Sequence, residues 1–258
     1  MKELLQNKRI LVAGGGSGIG EATCRRVMEA GGRVVVGDLN RENAESVAAA
    51  INEEGGQALA VQFDLRDETS LKKFVATAVG EMGGIDGLAN VAADLSPAMI
   101  EADRDLLDMD PAIWLSAMRA NVIGFALASR EAIRQFLKQG NGGAIVNVSS
   151  EAASCGEDTR PAYSITKAGV NALTRHTALR WGPDGVRCNA VAPGITMSET
   201  AEAMMPEDFK QQWLNLTTMK RFGRPPDQAA TIAFLLSDHA SWVSGQVWHV
   251  NGGSHFHD

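Results

Sequence analysis

A tyrosine and a lysine four residues apart form the pair with the clearest potential for chemistry. Tyr163 and Lys167 lie in a segment of helical period, Ala162–Trp181, so their side chains share one face of the predicted helix. A phenol has a pKa near 10, and lowering it to about 7 requires roughly 4 kcal/mol of differential stabilisation of the phenolate. A lysine cation at about 4 Å supplies an energy of that order at an effective dielectric of about 20. The pair can therefore form a base that is active near neutral pH.

The same spacing also occurs in ordinary surface pairs on helices, so the position of a nearby serine is informative. The predicted strand Ala144–Val148 is followed by Ser149 and Ser150, and Tyr163 comes thirteen residues after Ser150. Open α/β sheets bind their ligands at the carboxyl ends of the strands. The position of Ser150 therefore favours a catalytic interpretation of the tyrosine and lysine.

A glycine-rich loop near the start of the chain has the features of a pyrophosphate-binding turn. It reads Gly14-Gly15-Gly16-Ser17-Gly18-Ile19-Gly20, and it follows a predicted strand and precedes a predicted helix. Glycines allow backbone N–H groups to approach a pyrophosphate at the positive end of the helix. A tight turn without a ligand remains the alternative, because a glycine-rich loop alone is a weak signal.

An acidic residue after the second predicted strand indicates which dinucleotide would bind. Asp38 lies 18 residues beyond Gly20, where a carboxylate can accept hydrogen bonds from the adenosine ribose and would repel a 2′-phosphate. The neighbouring Leu39 and Ser17 are not basic. We therefore predict NAD(H) as the cofactor, with NADP(H) less favoured. A solvated acid in a turn is the alternative interpretation of Asp38.

The elements that must position these residues alternate regularly along the chain. Short apolar runs predict seven strands, at Ile10–Ala13, Val34–Val36, Ala58–Val61, Leu88–Val91, Ala144–Val148, Val186–Val191 and Val247–Val250. Segments of helical period predict helices at Gly18–Ala30, Arg41–Glu54, Glu68–Glu81, Pro111–Gln139, Ala162–Trp181 and Asp227–Ser237. This alternation predicts an α/β fold, a single domain over residues 1–258 with a doubly wound parallel sheet and helices on both faces.

The least regular stretch of the chain runs from Ile195 to Gly223. It carries several methionines and aromatic residues among acids and amides and shows neither a strand pattern nor a continuous helical period. Long segments of this composition often pack over a substrate. We predict that residues 195–223 form a substrate lid, with plain packing as the alternative.

Composition excludes several other classes of function. The chain has 24 Lys and Arg against 31 Asp and Glu, a net charge of −7, which disfavours nucleic-acid partners. No apolar run of about 18 residues suggests a membrane span, and the polar N-terminus lacks the apolar core of a signal peptide. We therefore expect a cytoplasmic protein. The three cysteines have no CxxC spacing, and His249 on the last strand and His255 and His257 in the tail have no acidic or cysteine partner at ligand spacing, so we predict no metal site.

Several short motifs along the chain occur in an order and spacing that match a known protein family. They are Gly14-x-x-x-Gly18-Ile19-Gly20, Asp38, Asp64-Leu65, Asn90-Val91-Ala92, Asn121-Val122-x-Gly124, Ser150, Tyr163-x-x-x-Lys167, Pro193-Gly194 and Val250-Asn251-Gly252-Gly253. In this order and spacing the chain resembles the compact form, about 250 residues long, of the short-chain dehydrogenase/reductase family. The resemblance covers essentially the whole chain. It implies a Rossmann-like seven-stranded sheet and a homotetramer.

The resemblance also implies roles for four residues at the reacting centre. Tyr163 would be the general acid and base, and Lys167 would lower its pKa while binding the nicotinamide ribose. Ser150 would hold the substrate oxygen. Asn121 would anchor a water molecule in a proton relay.

The remaining residues implied by the resemblance would bind the cofactor. The loop residues are Gly14, Gly16, Ser17, Gly18, Ile19 and Gly20, and Asp38 and Leu39 follow the second strand. Asp64, followed by Leu65, would bond the adenine amino group, and Asn90 would lie near the adenosine ribose. Pro193-Gly194 would begin the turn under the nicotinamide, and Thr196 or Ser198 would bond its carboxamide.

Three positions depart from the family pattern. Ala13 replaces a threonine whose hydroxyl normally ties the glycine loop to the fourth strand. Val91 replaces an asparagine and Ala93 replaces a glycine in the motif after that strand. The departures affect the expected rigidity of the loop and cofactor affinity, and none lies at a predicted catalytic position.

The leading hypothesis is an NAD(H)-dependent oxidoreductase that acts on a small secondary alcohol or ketone. Reduction of a 3-oxoacyl thioester is the second hypothesis. A non-catalytic dinucleotide-binding module is a third, from another class; it would predict erosion at the catalytic positions, and all four are intact. The sequence does not identify the substrate.

Overall fold

Seven parallel strands form one sheet, in the order β3-β2-β1-β4-β5-β6-β7. The computed structural model describes residues 3–94, 96–197, 202 and 205–256. The strands are β1 Arg9–Ala13, β2 Arg33–Asp38, β3 Ala58–Gln62, β4 Gly87–Asn90, β5 Gly143–Val148, β6 Val186–Pro193 and β7 Val247–Val250. All seven lie where the apolar runs predicted them, which confirms the doubly wound, single-domain α/β fold.

Helices cover both faces of the sheet. They are α1 Gly18–Glu29, α2 Arg41–Glu53, α3 Glu68–Met82, α4 Pro97–Ala102, α5 Pro111–Ala117, α6 Phe125–Gln139, α7 Ala152–Cys155, α8 Pro161–Trp181, α9 Glu207–Leu216 and α10 Pro225–Leu236. On one face, α1, α2 and α10 bury side chains such as Val27, Ile51 and Ile232 against the strands. On the other face, α3, α6 and α8 bury Phe74, Phe136 and others. Because both faces are covered, the strands are apolar at consecutive positions.

Side-chain caps define where several of these helices begin. Asp110 accepts a hydrogen bond from the Ala112 N–H at 2.8 Å and is followed by Pro111, as the sequence predicted. Asp67 accepts hydrogen bonds from two N–H groups of the first turn of α3. These caps satisfy donors that a helix leaves without intrahelical partners.

The structure differs from the sequence prediction in three segments. The helix predicted over Pro111–Gln139 is interrupted by a π-helical turn at Met118–Gly124. The stretch 195–223, for which no regular element was predicted, contains α9 and a parallel bridge from Thr196 to Gly223. The short helices α4 and α7 were also not predicted, because each is too short to show a period.

The stretch Pro111–Gln139 has, by length and composition, the properties of a helix that could cross a membrane. The sequence analysis found no such stretch. In the structure, α6 packs against α3 and the sheet and buries Phe125, Ala132 and Phe136 in the core. Packing accounts for only part of the apolar composition of this stretch, because 39% of its most apolar window is buried and Leu115 and Leu137 are exposed.

Candidate active site

The predicted site residues converge on the carboxyl edge of the sheet. The glycine loop follows β1, Asp38 ends β2, and Asn90 ends β4. Ser150 follows β5, and Gly194 follows β6. The strand order reverses between β1 and β4, which lie side by side although they are distant in sequence. Ligands of open α/β sheets bind in the crevice at such a reversal.

Close backbone approaches explain the glycines of the loop. A Cβ atom at Gly14, whose φ is +96°, would lie 2.6 Å from the Ala92 nitrogen, and one at Gly20 would lie 1.7 Å from the Gly14 carbonyl oxygen. At Gly18, by contrast, a Cβ atom would meet no atom within 4 Å, so the start of α1 faces open space. Ser17, the N-cap of α1, makes no side-chain cap. The loop and the uncapped helix start fit a pyrophosphate.

Backbone hydrogen bonds hold this loop despite the departures from the family pattern. The N–H groups of Val91 and Ala92 donate to the Ala13 carbonyl oxygen at 2.9 and 2.8 Å. They tie β1 to the segment after β4. The main chain therefore supplies a link at the place where Ala13 lacks a hydroxyl.

Asp38 contacts the glycine loop directly. Its Oδ2 accepts a hydrogen bond from the Gly16 N–H at 2.9 Å, and its Oδ1 accepts one from the Asn40 N–H at 3.0 Å. Leu39 beside it is exposed. The sequence analysis did not consider Arg41, the first basic residue after Asp38. Its guanidinium donates to Glu45 at 2.7 Å, so a carboxylate already neutralises this cation.

Two other predicted cofactor residues have their side chains in the core. Asn90 is fully buried, and its Nδ2 donates to Asn147 at 2.8 Å and Ser129 at 3.2 Å. Leu65 is buried in the core with α3 and α6. Only backbone atoms of Asn90 and Leu65 are thus in a position to face a ligand.

The remaining predicted cofactor residues lie along the same edge. Asp64 is half-buried after β3, and its Oδ1 accepts the Arg66 N–H at 2.8 Å. At Gly194 a Cβ atom would lie 2.7 Å from the Asn251 Cα, so the turn after β6 requires glycine. The Thr196 hydroxyl donates to the Gly194 carbonyl oxygen at 3.1 Å and accepts from Gln228 at 3.1 Å. Ser198 lies outside the described residues.

Tyr163, Lys167 and Ser150 meet as the sequence predicted. The Lys167 Nζ lies 5.6 Å from the centre of the Tyr163 ring, and the Ser150 side chain is near enough to the phenol for a hydrogen bond from it to lower the pKa of Tyr163. Lys167 is fully buried, and its ammonium donates to the Val148 carbonyl oxygen at 2.8 Å. The i, i+4 spacing on α8 brings the two side chains to one face.

Burial dominates the ionisation of both groups in the chain without a cofactor. It raises the pKa of Tyr163, and the hydrogen bond from Ser150 and the charge of Arg160 oppose that rise. Burial lowers the pKa of Lys167 to about 7. Spacing alone predicted that the lysine lowers the pKa of the phenol; in the protein without a cofactor, desolvation outweighs the hydrogen bond from Ser150 and the charge of Arg160, so the pKa of Tyr163 is raised.

Asn121 lies in the π-helical turn and carries an unused acceptor. Its Nδ2 donates to the Thr166 hydroxyl at 3.0 Å, and that hydroxyl donates to the Tyr163 carbonyl oxygen at 2.7 Å. The Asn121 Oδ1 is buried and has no hydrogen-bond partner among the described residues. A buried acceptor of this kind suits a bound water molecule. Thr166, which orients Asn121, was missed by the sequence analysis.

A cleft beside Tyr163 offers space for a substrate. Its lining residues are Asp94, Met99, Ile100, Asp103, Ala117, Asn121, Arg160 and Tyr163. Met99, Ile100 and Asp103 come from α4 and its C-terminal end, which carries no recognisable motif. The sequence assigned no role to three of the lining residues, Asp94, Asp103 and Ala117. Arg160 lies with its guanidinium carbon 5.1 Å from the centre of the Tyr163 ring.

A histidine and a glutamate form a pair next to Ser150. Glu151, which is buried, contacts the His249 ring from β7, and the His255 Nδ1 lies 3.9 Å from its Oε2. Among the described residues, no group of three or more His, Cys, Asp or Glu is placed to hold a metal ion. The predicted absence of a metal site stays a prediction.

Comparisons with known proteins give this arrangement a context. The family described as "Enoyl-(Acyl carrier protein) reductase" matches residues 13–255. A cis-4-hydroxycyclohexanecarboxylate dehydrogenase of Sinomonas cyclohexanicum is 37% identical over 253 residues, covering 98% of each chain. A 7α-hydroxysteroid dehydrogenase of Bacteroides fragilis is 34% identical over 98% of this chain and 96% of that protein. A solved 7α-hydroxysteroid dehydrogenase, in complex with NADH and 7-oxo glycochenodeoxycholic acid, superimposes with a TM-score of 0.90 at 32% identity, covering 98% of this chain and 96% of that chain.

Proposed function

This chain belongs to the short-chain dehydrogenase/reductase family, and from that premise we propose that it is an NAD-dependent dehydrogenase of secondary alcohols with Tyr163 as its acid–base residue. The reaction class, oxidation of alcohols or reduction of ketones with a nicotinamide cofactor, is that of its relatives. The non-catalytic hypothesis has no support from them. The assignment of roles to residues rests on the geometry of the site.

The side chains at the cleft can move one proton from a substrate hydroxyl. The Tyr163 phenolate accepts that proton at Oη, and the Ser150 hydroxyl, which has a single proton, donates its hydrogen bond to the same substrate oxygen in place of Tyr163. A nicotinamide cofactor held at the glycine loop and Asp38 would supply the hydride acceptor for oxidation of the carbinol carbon. The buried ammonium of Lys167 stabilises the phenolate, and the Asn121 Oδ1 holds a water molecule that can pass the proton onward.

The observation that carries this proposal is the convergence of Ser150 and the fully buried Lys167 on the side chain of Tyr163. We expect Tyr163→Phe to remove turnover of alcohols and ketones, measured by NADH absorbance, while NAD still binds. Arg175→Ala, an exposed position on the same helix, serves as the control and keeps activity. Substantial turnover by the phenylalanine variant would exclude Tyr163 as the base.

Two features support NAD over NADP as the preferred cofactor. Asp38 presents a carboxylate after β2 and holds the glycine loop through the Gly16 N–H. The nearby Arg41 is paired with Glu45. A 2′-phosphate would therefore meet a negative charge without a free cation opposite it.

The cleft supports a cyclic or otherwise apolar secondary alcohol as the substrate. Met99, Ile100 and Ala117 form the apolar part of its lining, and the polar part consists of Asp94, Asp103, Asn121, Arg160 and Tyr163. Two relatives are named for alcohols on cyclohexane and steroid rings. Reduction of a 3-oxoacyl thioester remains the second candidate, since a Staphylococcus aureus protein that is 35% identical over 95% of this chain is named a 3-oxoacyl-[acyl-carrier-protein] reductase. Turnover of cyclic alcohols but not of 3-oxoacyl thioesters would support the secondary alcohol as the substrate.

We also propose a homotetramer located in the cytoplasm. Large apolar side chains are exposed on several elements, among them Leu115 on α5, Leu179 on α8, Trp242 and Phe256. Apolar patches of this kind mark interaction surfaces. The negative net charge supports the absence of a nucleic-acid partner.

A further inference from the structure

We propose that Asp103 is a positioning residue that holds Tyr163 in place by capping the catalytic helix from a distant segment. Asp103 ends α4, 60 residues before Tyr163, and only 4% of it is exposed. Its Oδ1 accepts the Ala162 N–H at 3.0 Å, and its Oδ2 accepts the Tyr163 N–H at 2.8 Å. The carboxylate thus bonds the main chain of the predicted acid–base residue itself.

The start of α8 cannot cap itself. Arg160 stands at the N-cap with a left-handed φ of 58°, and its side chain makes no cap. Pro161 follows and has no N–H, and the Ser164 N–H is already bonded to the Arg160 carbonyl oxygen at 3.0 Å. Two donors of the first turn remain, those of Ala162 and Tyr163. Asp103 takes both.

The same residue fixes the approach of the chain to the helix. The Arg160 N–H donates to the Asp103 carbonyl oxygen at 3.0 Å, and the Asp103 N–H donates to the Met99 carbonyl oxygen at 3.0 Å. Met99 and Ile100 line the cleft. Asp103 therefore connects the substrate-facing helix α4 to the residue that exchanges the proton.

A negative charge at this place is compatible with its burial. The carboxylate lies at the N-terminus of a helix of 21 residues, where the backbone dipoles favour an anion. Each of its oxygens has one backbone donor. An asparagine would keep the shape but offer one acceptor oxygen and turn an NH₂ group towards an N–H donor.

A matched control exists elsewhere in the chain. Asp67 caps α3 with the same bidentate geometry, accepting the Thr69 and Ser70 N–H groups at 3.0 and 3.2 Å. No predicted catalytic or cofactor-binding role involves Asp67. Asp67→Asn therefore makes the same chemical change at an equivalent cap without touching Tyr163.

Tyr163 is the only tyrosine of the chain, so protein labelled with ¹⁵N-tyrosine gives one amide signal, which reports this bond directly. We expect a slowly exchanging amide in the wild type, and a shifted, faster exchanging amide in Asp103→Asn but not in Asp67→Asn. We also expect kcat of Asp103→Asn to fall about tenfold or more at saturating substrate, because small displacements of a reacting group are costly. Its Kd for NAD should change less than about twofold, since the glycine loop is untouched.

Three results would overturn the proposal: a Tyr163 amide in the wild type that exchanges like an exposed one, an unchanged kcat in Asp103→Asn, or an equal loss of kcat in Asp67→Asn. If Asp103→Asn does not fold, the amide exchange of the wild type alone decides. The catalytic consequence rests on the proposed function of Tyr163, but the amide signal does not. Activity retained by Tyr163→Phe would refute that function and leave the cap intact.

Discussion

At the scale of single residues, the lone tyrosine makes acid–base chemistry measurable. In the unliganded protein, burial should keep the titration of Tyr163 above about 10. With NAD bound, we expect it well below 10, because the positive nicotinamide adds to the charge of Lys167. Lys167→Met should return the titration in the complex to about 10 or higher. Ultraviolet difference absorbance measures the ionisation of this single phenol without signals from other tyrosines. A Tyr163 pKa near 10 in the wild-type complex would contradict its assignment as the base.

A second prediction for single residues concerns cofactor choice. Asp38→Ala combined with Leu39→Arg should move the preference towards NADP(H), because it removes the repelling carboxylate and adds a cation. The ratio of kcat/KM for the two cofactors measures the change. Leu39→Arg alone, which keeps Asp38, is the matched control and should shift the ratio less. Equal use of both cofactors by the wild type would show that Asp38 does not determine the preference for NAD(H) over NADP(H).

At the scale of elements, the segment after β6 is predicted to move. The helix α9 buries none of its residues, whereas α10 buries six, including Ile232 and Leu236. Because few apolar contacts hold α9, we expect its amides to exchange faster than those of α10 in the unliganded enzyme. Exchange in α9 should slow when cofactor and substrate are bound, as a closing lid requires. Equally slow exchange in α9 and in the strands before binding would refute the lid.

The π-helical turn is the other element with a functional consequence. It interrupts the stretch between α5 and α6 and contains Asn121, whose Oδ1 has no partner among the described residues. Such bulges frequently occur at functional sites. An unbroken α-helix would turn Asn121 to a different angle relative to Thr166.

At the scale of the whole molecule, the buried Lys167 should make stability depend on pH. Its folded pKa of about 7 is lower than the value near 10.4 of an unfolded lysine, so the unfolded state binds more protons between these values. The free-energy cost of burying the protonated lysine is greatest below pH 7 and disappears as the pH rises towards 10. Relative to Lys167→Met, the free energy of unfolding of the unliganded wild type should therefore rise by a few kcal/mol from about pH 7 to 9.

Comparison with the methionine variant isolates this effect. Burial raises the pKa of Cys188 to about 12 and also raises that of Cys24. Those thiols make stability fall above about pH 8.5, but they do so in both proteins. Urea unfolding at several pH values measures the difference. A pH-independent difference between the two proteins would show that Lys167 stays protonated.

The quaternary structure is a further prediction at this scale. The mass of a tetramer, measured by sedimentation, would be four times the 27.4 kDa of one chain. The exposed apolar side chains on α5 and α8 are expected to lie within interfaces, because water contact with them is unfavourable. A single species at the mass of one chain in analytical ultracentrifugation at micromolar concentration would contradict the prediction.

Much of this protein follows from local sequence patterns. The strands were predictable because consecutive apolar residues are typical of a sheet covered on both faces. Tyr163 and Lys167 were predictable as neighbours because a helix places residues i and i+4 together. Ser150 was predictable beside them because parallel strands end at one edge. These features depend on spacing within one element or on the topology shared by a family.

The rest required contacts between distant segments. Asp103 stands in a stretch without a motif, and only the folded chain brings it to the Ala162 and Tyr163 N–H groups. The rise in the pKa of Tyr163 likewise reflects burial by several elements, where spacing alone suggested a decrease. The structure also shows that Arg41, the basic residue near Asp38, forms an ion pair with Glu45. Desolvation and hydrogen-bond satisfaction are set by which surfaces meet, and tertiary packing decides that.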